Sequence, residues 1–139
     1  MSTTMTRDPT IDVRLNISSL TVTSERMIEI LPFTPTKRWS LGDAVGKSSV
    51  RCRDNGVAIV LPSEVGWHLE PVVLKLLDLL EPMKSAFVRA TTDEMLDCQL
   101  ACMAVFTTSP PSCSLEARTI GRIAELGLSF DLDLIFAPE

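Results

Sequence analysis

Six aliphatic residues recur at helical spacing in the middle of the chain and predict its main helix. The spacing i, i+3, i+4, i+7, i+8, i+11 is occupied by Leu69, Val72, Val73, Leu76, Leu77 and Leu80. It places all six side chains on one stripe of an α-helix. Pro71 is tolerated near the helix start, whereas Pro82 interrupts the helix after about three turns. A stripe this wide predicts that the helix packs on a sheet.

Alternation of apolar and polar residues predicts three long strands. Ile11–Ile17 alternates strictly, which is typical of a strand with one buried and one wet face. Leu128–Phe136 repeats the pattern, with Leu128, Phe130, Leu132, Leu134 and Phe136 facing the core and Ser129, Asp131 and Asp133 facing water. Met95–Phe106 is the third strand, and its second face becomes apolar toward the end.

Capping signals predict two further helices. Thr23 or Ser24 can cap a short helix that Pro32 ends. Ser112 or Ser114 can cap a helix that continues through Leu126. Gly127 would follow that helix at its C′ position, where a left-handed backbone favours glycine.

A hairpin is predicted between the first helix and the main helix. Asn55-Gly56 is a strong two-residue turn signal, and it separates Ser49–Arg53 from Val57–Leu61. The preceding segment, Phe33–Gly46, is rich in Pro, Thr and Gly and is predicted to be a loop.

The element order is therefore β-α-β-β-α-β-α-β. This order predicts an α+β two-layer sandwich, with a mostly antiparallel sheet and all helices on one face, related to the ferredoxin-like topology. We expect residues 1–10 to form a flexible N-terminal tail and residues 11–137 to form a single domain.

Composition argues against two classes of partner. The net charge is −5 and no basic stripe is present, so we expect no nucleic-acid binding. No run of 18 or more apolar residues occurs, so we expect no membrane partner. Residues 1–10 have no apolar core, unlike a secretion signal, and we expect a cytoplasmic protein.

The cysteines and the single histidine do not form a known reactive motif. Cys98 and Cys102 share one face of a strand at about 13 Å, too far apart for a disulfide or a shared zinc ion. Cys113 precedes a helix, where a thiolate could be stabilised. His68, the only histidine, has no supporting motif and is expected to be a surface or capping residue. We expect no catalytic residue, metal site or cofactor.

Two features remain as candidates for partner binding. Trp39 lies in the Phe33–Gly46 loop together with Asp43, and it is either packed against the sheet or available to a partner. The second apolar face of Met95–Phe106 needs cover by that loop, a second subunit or a foreign protein; it carries Ala101, Met103 and Val105. Asp131 and Asp133, about 7 Å apart on the last strand, complete the candidates.

Several short motifs resemble a bacterial family catalogued as domain of unknown function 4279. They are Pro35–Asp43, His68-Leu69-Glu70 with Leu79–Pro82, Ser114-Leu-Glu116, Ala124–Gly127 and Asp131-Leu-Asp133. The resemblance spans Ile11 to Phe136 and implies an α+β fold without a known catalytic activity. The family often has a tryptophan on the second hairpin arm, where this chain has Val57-Ala58-Ile59.

Three functional hypotheses follow. The first is a non-enzymatic protein-binding module that binds itself as a homodimer or binds a basic toxin, as an immunity protein of the bacterial cytoplasm does. The second is a small-molecule-binding or sensory domain with a groove around Trp39. The third is an enzyme that uses Asp43, Asp131 or Asp133 as acid, base or metal ligand.

Overall fold

The computed structural model describes residues 7–138 as a six-stranded sheet covered on one face by helices. The α+β two-layer prediction is confirmed. In chain order the elements are β1 (Thr10–Ser19), α1 (Ser24–Ile30), β2 (Lys37–Trp39), β3 (Asn55–Val60), β4 (Glu64–Val65), α2 (Glu70–Leu80), α3 (Lys84–Thr92), β5 (Asp97–Phe106), α4 (Ala117–Glu125) and β6 (Ser129–Phe136). Residues 1–6 of the predicted tail lie outside the described range, and β1 begins within the rest of it.

The sheet has the order β2-β3-β1-β5-β6, and β4 pairs with the start of β1. Strand β1 is central and antiparallel to both of its long neighbours, β3 and β5. Among the strands of residues 7–138, β5 and β6 are the one parallel pair, with α4 forming the crossover between them. This parallel pair makes β6 one edge of the sheet, while β2 forms the other.

The main helix forms where the spacing predicts it. All six residues of its stripe are buried, from Leu69 at the N-cap to Leu80 in the last turn. They pack with the buried side chains of the central strands in a single core. Pro82 interrupts the α-helix, a 3-10 turn over Glu81–Met83 follows, and α3 continues from Lys84. The α-helix is therefore interrupted at the proline, as predicted.

Two predicted helix caps are confirmed, and one is wrong. The Thr23 hydroxyl accepts the amide of Arg26 at 3.2 Å. Gly127 has a φ of +73°, and the next amide returns to the carbonyl of Ile123 at 3.2 Å. In contrast, α4 begins after Glu116 rather than after Ser112 or Ser114. The amide of Glu116 instead donates to the carboxylate of Glu70 at 2.5 Å, so a side chain from α2 satisfies it.

The predicted hairpin arm at 49–53 is wrong. On the side away from β1, the strand that pairs with β3 is β2. Asn55 and Gly56 lie inside β3 rather than in a turn. A Cβ atom at Gly56 would overlap the indole ring of Trp39 and would lie 2.8 Å from the carbonyl oxygen of Ile17. Asn55 accepts the amide of Leu41 at 2.8 Å. The Asn-Gly pair is therefore used for close packing, and the predicted loop contributes the short strand β2.

The apolar row of β6 is less buried than its alternation predicts. Leu128, just before the strand, is buried, but Phe130, Leu134 and Phe136 are 41%, 51% and 59% exposed. The row lies on the helix side of the sheet, because Phe130 pairs with the buried Leu100 of β5. Since β6 is an edge strand and α4 has only nine residues, the helix layer does not cover its length.

We expect Leu76→Ala to lower the free energy of unfolding by about 2–5 kcal/mol, because it removes a fully buried side chain of α2. Leu79→Ala is the matched control on the same helix, since Leu79 is half exposed and its truncation leaves no cavity. Urea unfolding followed by circular dichroism measures both. Equal losses for the two variants would contradict the assigned buried face.

Candidate functional site

The face of the sheet opposite the helices is open to solvent. We define the open sheet face by the residues of β1, β5 and β6 that line a depression on this side: Asp12, Arg14, Asn16, Gln99, Ala101, Met103, Asp131 and Asp133. These side chains alternate along each strand with residues of the helix side. Together with Val60 and Cys102 they enclose about 350 Å³.

Strand register arranges the open sheet face in two rows. In the first row Met103 lies between Asp12 and Asp133, and each aspartate is its direct cross-strand neighbour. In the second row Ala101 separates Arg14 from Asp131. Because neighbouring strands are about 4.8 Å apart, the charged residues at the ends of a row are about 10 Å apart at the backbone. A methionine and an alanine thus form an apolar floor with charges on both sides.

The charges of this face do not neutralise one another. Three carboxylates stand against the single guanidinium of Arg14. Within residues 7–138, Arg14 forms no ion pair shorter than 4.0 Å, whereas Arg122 pairs with Asp78 at 2.9 Å on the helix layer. The open sheet face therefore keeps a net negative charge that a binding partner could neutralise.

Four of the predicted site residues lie together on this face. Ala101 and Met103 are half-buried and form the floor, and Asp131 and Asp133 are exposed beside them. Val105 continues the same face beyond the depression and pairs in register with Ile135, which is 40% exposed. No residue of the Phe33–Gly46 loop lines the depression, so of the three alternatives for cover the structure does not have the one in which that loop covers this face.

Sequence reasoning missed Asp12 and Arg14 as members of the site. Both lie on the wet face of the first predicted strand, so the alternation already indicated their exposure. The alternation does not reveal which strands are neighbours in the sheet. Only the pairing of β1 with β5 places Asp12 beside Met103 and Arg14 beside Ala101.

Trp39 and Asp43 are not part of this site. Strand β2 is four strand spacings from β6, about 19 Å. Trp39 is half-buried over Gly56, and its indole N–H donates to the carboxylate of Asp54 at 2.8 Å. The carboxylate of Asp43 accepts the amide of Ser40 at 2.8 Å and thus stabilises a turn. Of the two predicted alternatives for Trp39, the structure has the one in which it packs against the sheet.

Burial disfavours the thiolate at three of the four cysteines. Burial raises the pKa of Cys98 and of Cys102 to about 12, so both remain thiols at neutral pH. Burial also raises the pKa of Cys113, so the predicted stabilisation of its thiolate is wrong. His68 is exposed just before α2, as predicted for a surface residue. Across residues 7–138, no three His, Cys, Asp or Glu side chains are grouped to hold a metal ion.

This geometry is suited to contact with another macromolecule. The carboxylates are fixed on paired strands around the depression, and those of Asp131 and Asp133 are exposed to water. Such groups can accept hydrogen bonds and ion pairs from lysine or arginine side chains, while Met103 offers adaptable apolar contact. Among the described helices, the longest has eleven residues, and none can cross a bilayer.

A family model described as domain of unknown function (DUF4279) matches residues 9–137. The chain belongs to the DUF4279 family. The match runs from the start of β1 to just past β6, so the whole sheet and both of its faces fall within the DUF4279 domain. Neither a curated protein nor a solved structure matches the chain.

We expect Gly56→Ala to lower the free energy of unfolding by about 1–3 kcal/mol, because the added methyl group forces apart the Trp39 ring and the β1 backbone. Gly66→Ala is the matched control, since a Cβ atom there has no neighbour within 4 Å and the residue has no positive φ. Urea unfolding compares the two. If Gly56→Ala is as stable as the control, Trp39 does not pack on this glycine.

Proposed function

We propose that this DUF4279 protein is a non-enzymatic module that binds a basic protein partner through its open sheet face. The observation that carries the proposal is the combination of three carboxylates with an exposed apolar floor on rigid paired strands. Charges of this kind steer encounter with an oppositely charged surface and fix the orientation of the complex. Apolar contacts at Met103 and Ala101 then contribute to affinity when water is excluded.

A foreign partner fits this face better than a second copy does. If two open sheet faces packed on each other, six carboxylates would share one interface with two guanidinium groups. Like charges brought together without solvent cost several kcal/mol. A partner rich in lysine and arginine removes this penalty, and the net charge of −5 acts in the same direction at longer range.

We further propose that the partner is a toxin and that the protein acts as its immunity protein in a bacterial cytoplasm. A small acidic domain that blocks a basic enzyme needs a rigid surface rather than its own active site, and the open sheet face meets that requirement. The alternative of a ligand groove around Trp39 has less support, because the indole N–H and ring are already engaged by Asp54 and Gly56. A carboxylate-dependent enzyme also has less support, since Asp131 and Asp133 are exposed to water.

We expect Asp131→Asn/Asp133→Asn to weaken binding of the basic product of a neighbouring gene by at least about tenfold and to abolish rescue of cells that express it. Asp43→Asn/Asp93→Asn removes the same charge from exposed sites outside the open sheet face and should leave both readouts unchanged. Titration calorimetry and growth measure the effects. Rescue that survives in the first variant would exclude these carboxylates, and failure of every neighbouring gene product to bind would count against an immunity function.

We expect light scattering of the purified protein at low salt to give the monomer mass, 15.3 kDa, both for wild type and for Met103→Glu. Repulsion between the carboxylates opposes association through the open sheet face, and position 103 tolerates a charge because it is only half-buried. A wild-type dimer that Met103→Glu converts to a folded monomer would instead identify this face as a homodimer interface.

A further inference from the structure

Within residues 7–138, no strand pairs with the outer edge of β6. It pairs with β5 over eight residues, from Ser129 to Phe136, and it ends the strand order on that side. The amide of Ala137 donates to the carbonyl of Phe106 on β5 at 2.8 Å. Successive residues of a strand direct their backbone groups to opposite sides, so those of residues 130, 132, 134 and 136 are directed away from β5. These four residues offer N–H and C=O groups to an added strand.

The same four residues carry the exposed apolar row of β6. Phe130, Leu134 and Phe136 are between 41% and 59% exposed, and Leu132 is half-buried. A strand added at this edge would place its own apolar side chains beside them on the helix side of the sheet. Addition of one strand would therefore both pair the free backbone groups of β6 and bury its apolar row.

The opposite edge of the sheet is protected, and β6 is not protected in the same way. Strand β2 has only three residues, and its exposed Arg38 is held by Glu25 at 2.6 Å. Short length and charge are common means of blocking edge-to-edge pairing. Strand β6 is longer and contains no proline, and its charges, Asp131 and Asp133, lie on the open sheet face rather than in the apolar row.

Those two aspartates determine which strand can be added. A second copy related by a two-fold axis would present its own aspartates on the same face of the extended sheet. Four carboxylates would then be neighbours across the new strand pair, and like charges placed opposite each other are destabilising. A strand with lysine or arginine on that face would pair with them instead.

We propose that the free edge of β6 binds an extended segment of the partner protein in which basic and apolar side chains alternate. The basic side chains face Asp131 and Asp133, and the apolar ones contact the row from Phe130 to Phe136. This proposal rests on the proposed protein-binding function and specifies the partner's contact as a β-strand. The bound segment would form a seventh strand, with its basic side chains beside the acidic open sheet face.

The test uses a fluorescent peptide of about six residues that alternates lysine and valine, with the same composition grouped into a lysine half and a valine half as control. We expect anisotropy to report binding of the alternating peptide and not of the grouped one. Leu134→Pro should weaken binding at least about tenfold, since it removes an outward N–H and leaves the pairing with β5 intact. Leu134→Lys, which retains the N–H but places a charge where the valine side chains of the peptide would pack, provides a second variant if the proline variant misfolds.

Circular dichroism must show both variants folded, and Leu79→Lys serves as the control for a charge added to an exposed apolar site of α2. No binding of the alternating peptide at about 1 mM, or equal binding by wild type and the Leu134 variants, would overturn the proposal. Dimers that only Leu134→Pro dissociates would also overturn it, because the occupant would be a second copy. If neighbouring-gene rescue depends on Asp131 and Asp133 but survives Leu134→Pro, the edge inference fails while the proposed function stands.

Discussion

The packing of α2 across the central strand β1 is the contact on which the rest of the molecule depends. The helix contributes an unbroken stripe of buried aliphatic side chains, and β1 contributes Ile11, Val13, Leu15 and Ile17, all of them buried. Because α1, α3 and α4 add their apolar residues to the same core, the sheet has one apolar layer and one face left to water. That open sheet face must carry charge to remain hydrated, and this requirement brings Asp12, Arg14, Asp131 and Asp133 together.

The two edge strands of the sheet, β2 and β6, differ in how much unpaired backbone and apolar surface they expose. At β2 the backbone is exposed over three residues only, and Trp39 anchors the strand by covering Gly56. At β6 the parallel crossover through α4 places a long alternating strand outermost, beyond the reach of the helix layer. The same alternation that buries half of β1 therefore leaves an apolar row of β6 in water. The burial of a strand's side chains depends on the neighbouring strands and helices, and an edge strand has one neighbouring strand fewer than a central strand.

Periodic signals in the sequence are reliable here where a single element determines them. The stripe of α2, the alternation of β1 and the glycine at position 127 each express a local rule, and each matches the structure. Asn55-Gly56 is misleading because a turn signal and a close-packing requirement select the same residues. The site could be predicted only in part. The exposure of Met103 and Asp133 follows from alternation, but the position of Met103 between Asp12 and Asp133 depends on a strand order that no local pattern contains.

The central position of β1 also has a consequence for folding. Its residues pair with β5 from Ser18 with Asp97 to Thr10 with Val105, so the strands that form the middle of the sheet are separated by roughly 80 to 95 residues of chain. Closing so long a loop costs conformational entropy before any contact compensates for it. The β1–β5 pair at the middle of the sheet therefore forms only after β5 and the segments before it are in place. A chain that lacks β1 loses the middle of its sheet rather than an edge.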